Sequence, residues 1–199
     1  MKPHQTRIAN IAKQRGVSMI EVLVALVILL LGLLGLAGTM IQSQRSELES
    51  YQRAQALVLL QDMASRINAN RKVASCYVFT DSTSGTPAVG GGGTLTEPTC
   101  TTGTADQNAR AIQDLKEWHS LLNGESEKNA DNNDVGAMIG ARGCISFDST
   151  TSIYLVTVAW QGLSKTAAPP DGWTCGKDLY GDEKQRRVVG ITLKIGELG

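Results

Sequence analysis

Gly16-Val17-Ser18-Met19-Ile20-Glu21-Val22-Leu23-Val24-Ala25-Leu26 is the stretch from which the rest of this chain is read. Glu21 is a lone carboxylate at the edge of an uncharged run that extends from Val22 to Ile41. As a helix, those about 20 residues would span roughly 30 Å, the hydrocarbon thickness of a bilayer. No other stretch of the sequence approaches that length, which predicts a single span. A carboxylate at the margin of such a segment is costly unless something pairs with it.

Outward from the run, charge is unevenly spread. The chain has 199 residues and a formal net charge of zero. Residues 1–16 carry Lys2, Arg7, Lys13 and Arg15 and no acid. Taking those four from the 19 Lys+Arg leaves 15 against 19 Asp+Glu, a net −4 for the remainder. A basic head before an apolar span predicts that the N-terminus stays in the cytoplasm and the bulk is translocated. The mildly acidic remainder argues for no nucleic-acid partner. The four cysteines, Cys76, Cys100, Cys144 and Cys175, form no C-x-x-C pair, which speaks against thioredoxin chemistry and zinc ribbons. On the translocated side an even count favours disulfides. Three pairings are open; the sequential one, Cys76–Cys100 with Cys144–Cys175, closes two moderate loops and is preferred, against free buried thiols.

Three readings compete for residues 1–41. A secretory signal is supported by the small residues around Gly35-Leu36-Ala37, but the basic segment is long and the apolar run exceeds a usual signal core. An uncut signal anchor is the second. The third is a resemblance: Gly16 through Leu26, with the basic leader before it and the apolar run after it, closely resembles the type IV prepilin signature. In that family a dedicated prepilin peptidase cuts after the leader's glycine, on the cytoplasmic face, and methylates the new N-terminus. The resemblance implies cleavage between Gly16 and Val17, N-methylation of Val17, and Glu21 as the glutamate at the fifth mature position. Val17 departs from the Phe usual in major pilins and points to a minor subunit. Cleavage creates an α-amino group four residues upstream of Glu21. Paired between neighbouring subunits, amine and carboxylate would each offset the other's cost in an apolar core and select axial register.

Beyond the span, residues 42–72 hold no Pro or Gly, and Leu48, Tyr51, Ala54, Val58, Met63 and Ile67 recur at helical spacing, thickened by Leu57, Leu59 and Leu60. This predicts that the helix continues to about Asn70, about 54 residues or roughly 80 Å from Val17. A coiled coil is disfavoured, since the heptad fails and Leu57–Leu60 is too broad for a seam. Gly32, Gly35 and Gly38 make a small-residue stripe in the span that would let helices approach.

Residues 81–106 are rich in Gly, Ser and Thr and read as a loop; Gly90–Gly93 lacks the Lys-Ser/Thr that would make it a phosphate loop. Ala109–Leu122 is a short amphipathic helix with Ala111, Ile112, Leu115, Trp118, Leu121 and Leu122 on one face. His119 has no partner at ligand spacing and reads as an ordinary histidine. Asp131–Asp134 with Gly136 looks superficially like a calcium loop but fails the EF-hand spacing, so it reads as a turn. Cys144–Phe147 and Ile153–Trp160 predict a hairpin, and Arg187–Ile195 a third strand. The fold expected is α+β: a long N-terminal helix packed on a small antiparallel sheet, as in the pilin fold. The organisation is a leader at 1–16, an assembly half-helix at 17–41, an amphipathic half-helix at 42–72 and a globular head at 73–199. Within that family Val158-Ala159-Trp160-Gln161-Gly162 and Arg186-Arg187 resemble the PilV-type minor pilins.

Chemistry in the head is not indicated. Gly-x-Ser-x-Gly, His-Glu-x-x-His and Cys/His clusters are all missing, and Asp182-Glu183 reads as a solvated loop. The expectation is a non-catalytic subunit with no metal, cofactor, nucleic acid or small-molecule substrate. The resemblance implies as partners the prepilin peptidase, an inner-membrane assembly platform, the major pilin and other minor pilins. A minor pseudopilin of a type II secretion system shares leader, helix and head, and a signal-anchored periplasmic binding domain is the alternative of another class.

Overall fold

Helical propensity and one apolar face set the main element. Helix α1 covers Met19–Ala69. It is the one helix long and apolar enough to cross a membrane among the described residues of this computed structural model. Those residues are 16–91, 94–95, 97–125, 128–131 and 138–196. The leader residues 1–15, Gly92 and Gly93 of the glycine run, and 132–136 of the acidic turn lie outside them. The chain divides into two units, Met1–Gln44 and Arg45–Gly199.

In the first unit α1 is exposed on every side. Val22 to Ile41 all face outward, and an added Cβ at Gly32, Gly35 or Gly38 would meet nothing within 4 Å. In water this surface would be far larger than any patch a soluble monomer leaves open. A membrane or other apolar helices must cover it.

In the second unit α1 is amphipathic, but in a different phase from the one expected. The core-facing residues are Ala56, Leu59, Leu60, Met63, Ala64 and Ile67. Leu48 (53 % exposed), Tyr51 (61 %) and Val58 (64 %) face out, together with Ala54. Spacing alone cannot choose between two apolar faces when Leu57–Leu60 is continuous. What chooses is fit: the small Ala56 and Ala64 let neighbouring elements approach, and Trp118 docks its indole N–H onto the Leu59 carbonyl at 3.0 Å.

After α1 a 3-10 stretch, Arg71–Tyr77, turns the chain. Strand β1 (Val89–Gly90) precedes helix α2 (Ala105–Asn123), then β2 (Arg142–Asp148), β3 (Ile153–Gln161) and β4 (Arg186–Leu193). Helix α2 carries a capping box: Thr104 Oγ1 accepts from the Gln107 amide at 3.3 Å and Gln107 Oε1 from the Thr104 amide at 3.1 Å. It ends at Gly124 in the left-handed region, φ 77°. The strands form one antiparallel meander in the order β1-β2-β3-β4. The fourth strand, β1, was not anticipated, because two residues in a Gly- and Thr-rich stretch carry no alternation to read.

Strand alternation sorts the two faces. Ile145, Val156, Val158 and Trp160 join the core beneath α1 and α2 with Trp118, Leu115 and Tyr77. Gly143 stands under Trp118, whose ring occupies the space a Cβ would need. Cys144 and Ala159 face the other way and join Cys175 and Tyr180, half-covered by Val188, in a small second core. The segment from Gly162 to Gln185 thus covers the sheet's outer face, and Trp173 lies over Gly190. This is the α+β architecture expected.

Candidate functional site

The residues singled out at the N-terminus lie together and in the open. Gly16, Val17 and Ser18 are non-helical and exposed, and the helix starts at Met19. The Ser18 carbonyl accepts from the amides of Glu21 at 3.0 Å and Val22 at 3.3 Å, closing the first turn. Val17 is 70 % exposed, and among the described residues nothing lies within 4 Å of where a Cβ on Gly16 would stand. A hydrolase needs its scissile bond in accessible backbone outside regular structure, and this segment is non-helical and exposed directly before a helix. Glu21 sits in the first turn, where the helix dipole favours a carboxylate. Among the described residues it has no ion-pair partner.

The cysteines are bonded Cys76–Cys100 and Cys144–Cys175. The first bond joins the 3-10 stretch after α1 to the approach to α2. The second ties β2 to the segment over the outer face of the sheet.

Three polar ties hold the head, and the sequence reading missed each. On the outer face Arg186 is 2 % exposed. Its Nε donates to Glu183 Oε2 at 2.6 Å and its Nη1 to the carbonyls of Trp173 and, at 3.1 Å, Cys175. Glu183, expected in a solvated loop beside Asp182, is instead the counter-ion of a buried arginine. Burial alone would raise its carboxyl, but the bond from Arg186 and the amide of Asp178 hold it below the usual range. Asp182 pairs with Lys165 at 2.9 Å and accepts from the Lys184 amide.

The second tie joins α1 to the β3–β4 connection. Glu49 Oε1 accepts from the Ser164 amide at 2.9 Å, the Ser164 hydroxyl at 2.7 Å and Arg187 Nη2 at 3.4 Å. Burial opposes ionisation here as well, and the Ser164 and Arg187 bonds overcome it, so the carboxyl is lowered.

The third joins α1 to α2. Arg66 pairs with Asp62 at 2.8 Å, Asp114 at 3.0 Å and Glu117. Asp114, buried on the apolar face of α2, also accepts from the Tyr77 hydroxyl at 2.6 Å and pairs with Arg110 at 3.0 Å. Burial, then the bond to Asp114, push the Tyr77 phenol well above its ordinary range. A cleft of about 450 Å³ opens beside this cluster, lined by Ser65, Arg66, Asn70 and Arg110 among others. Its one buried carboxylate is saturated by two guanidiniums and a phenol, which suits a structural tie better than proton transfer. His119 Nδ1 accepts from the Gly90 amide at 2.9 Å, so this histidine anchors β1 to α2. Among the described residues no group of three His, Cys, Asp or Glu side chains is placed to hold a metal.

Residues 11–37 match the family described as the prokaryotic N-terminal methylation motif. The chain matches no curated protein and no solved structure. The matched span contains Gly16, Val17 and Glu21 and ends inside the apolar run. The match supports a type IV pilin-like prepilin that is processed by a prepilin peptidase. It suggests a structural rather than a catalytic role. The apolar N-terminal helix fits anchoring in a membrane.

Proposed function

We propose that this chain is a minor pilin of the PilV type, a subunit that primes or caps type IV pilus assembly and supports twitching motility and adhesion. One observation carries the reading. An exposed, non-helical Gly16-Val17-Ser18 stands directly before a helix whose first turn holds Glu21, inside the matched methylation motif. Residues 1–16 are the leader. Prepilin peptidase cleaves after Gly16 and methylates Val17. Residues 17–41 then anchor the protein in the inner membrane, with the head in the periplasm, until extraction into the pilus tip. Val17 in place of a bulky aromatic favours a minor subunit. Of the PilV-like segments, Val158–Gln161 and Arg186-Arg187 lie on paired strands, where Trp160 opposes Arg187.

Glu21 has the role of an assembly residue. Exposed and without an ion-pair partner among the described residues, it is placed to meet the methylated amine of a neighbouring subunit. In an apolar bundle that ion pair is weak as a stabiliser but strong as a register device, because misplacing one partner leaves an uncompensated charge. The major pilin, other minor pilins and the assembly platform are the partners. A deletion strain complemented with the intact gene decides the system served. Loss of surface pili and twitching with secretion intact supports the proposal; loss of enzyme secretion with pili intact assigns the chain to a type II secretion pseudopilus.

A further inference from the structure

The sheet of the head has two edges, and they are treated differently. At the β2 edge the Ile145 carbonyl accepts from the amides of Phe79 at 3.3 Å and Thr80 at 3.0 Å, and the Ile145 amide donates to Thr80 Oγ1 at 3.1 Å. Strand β1 covers the remainder by pairing with Arg142 and Gly143. The other edge is β4, which among the described residues pairs with β3 alone.

Register shows which groups of β4 are left over. The Gly162 amide donates to the Gln185 carbonyl at 2.7 Å. Stepping by two along the antiparallel register makes Trp160–Arg187, Val158–Val189, Val156–Ile191 and Tyr154–Leu193 the hydrogen-bonded pairs. Val188, Gly190 and Thr192 therefore turn their N–H and C=O groups away from β3. Among the described residues none of these six groups has a hydrogen-bond partner. The run Val188–Leu193 holds no charge and no proline, and its register with β3 continues without a bulge. Those are the devices by which proteins usually blunt an edge.

A groove runs beside this edge. Ser46, Glu49, Ser50 and Arg53 of α1 and Trp160, Arg187, Val188 and Val189 of the sheet enclose about 230 Å³. Leu57, one turn beyond Arg53 on α1, is 40 % exposed. Charge at the edge has one sign. Arg53 and Lys194 are exposed and have no acidic partner among the described residues, while Glu49 is already held by Ser164 and Arg187.

We infer that the β4 edge is a strand-addition site for an extended segment of another protein, apolar in the middle and carrying carboxylates at its ends. The segment's backbone completes the ladder with Val188, Gly190 and Thr192, and its end carboxylates meet Arg53 and Lys194. A second copy of this chain fits poorly. Antiparallel pairing of two β4 edges would set the run Val188–Leu193 of one copy against that of the other, and this run carries no carboxylate to meet Arg53 and Lys194. The inference stands on the sheet edge and does not depend on the filament reading.

The test uses the full chain in detergent micelles with a capped peptide of alternating valine and threonine, glutamate at both ends, roughly eight residues long as strands commonly are. Amide hydrogen exchange is followed residue by residue. The expected result is about tenfold slower exchange at Val188, Gly190 and Thr192 on adding the peptide. The same peptide with lysine ends should give none. Thr192→Pro removes an outward N–H without touching the β3 ladder and should abolish the protection; slow exchange at Val156 and Val158 shows that the variant is folded. The double variant Arg53→Glu with Lys194→Glu should reverse the preference toward lysine ends. Unchanged exchange at the three amides, equal protection by both peptides, or protection that rises with protein concentration alone would each overturn the inference, the last in favour of self-pairing.

Discussion

Replacing Arg186 with methionine keeps the length of the side chain and removes everything polar about it. The guanidinium is 2 % exposed and serves three acceptors: Glu183 through two nitrogens, at 2.6 Å each, and the carbonyls of Trp173 and Cys175. Each carbonyl left without its donor costs about 1 kcal/mol. Glu183, at 28 % side-chain exposure, can turn to water, so the lost ion pair costs about another 1 kcal/mol rather than the several expected of a fully buried pair. The sum is about 3 kcal/mol, a shift of roughly 6–12 °C in melting temperature for a chain of this size. Denaturant unfolding of the full chain in detergent, read from tryptophan fluorescence, measures it; Trp173 sits inside the perturbed segment.

Acidity gives a second reading of the same tie. The Glu183 carboxyl is lowered in the folded state from its ordinary 4.5. Its contribution is therefore present above pH 4.5 and is lost as pH falls through the lowered folded value. In Arg186→Met only the Asp178 amide and the nearby Lys177 still hold the carboxyl down, so that loss shrinks and the acid limb of the stability curve should flatten. Glu183→Gln in the Arg186→Met background should cost much less than in the native chain. A melting temperature within 2 °C of the native protein's would refute the reasoning, since a change that small is under about 1 kcal/mol. It would mean that the second core and the Cys144–Cys175 bond hold the segment without Arg186.

Three further predictions follow from single contacts. Gly143→Ala places a methyl in the space of the Trp118 ring and should cost about 1–3 kcal/mol by overpacking, whereas Gly172→Ala, in open space, should be neutral in the same melt. Cys144→Ser with Cys175→Ser opens a loop with a sequence separation of 31 and should lower stability by about 3–4 kcal/mol; a loss below about 1 kcal/mol would mean that residual structure already restrains the unfolded chain. Glu21→Ala removes no ion pair among the described residues, so the melting of the head should not change, and immunoblotting should still detect the processed form. Recovery of the variant in sheared filaments should drop about tenfold, and native-level recovery would remove the proposed charge pair.

The features legible in the sequence were those written in local pattern. Membrane length, leader charge and the Gly16–Glu21 spacing are contiguous, and the three long strands and α2 announce themselves by period. The phase of α1 was not legible, because Leu57–Leu60 offers two apolar faces and the choice rests on Trp118, almost sixty residues away. Nor was the burial of Asp114, a carboxylate on an apolar face that becomes tolerable only when Arg66, Arg110 and Tyr77 converge on it. Glu183 was misread for the same reason: adjacent acids look solvated until the fold buries Arg186 between two carbonyls. Long-range polar complementarity leaves no periodic trace.

The account turns on whether the bond between Gly16 and Val17 is cut. Mass spectrometry of the N-terminal peptide, taken from the protein purified out of its native membranes, reads this directly. The account predicts a mature chain that begins at Val17 and carries one methyl group on its amine. A chain that still begins at Met1, or one that begins near Gly38 after signal-peptidase cleavage, would contradict it and leave Glu21 with no partner to meet.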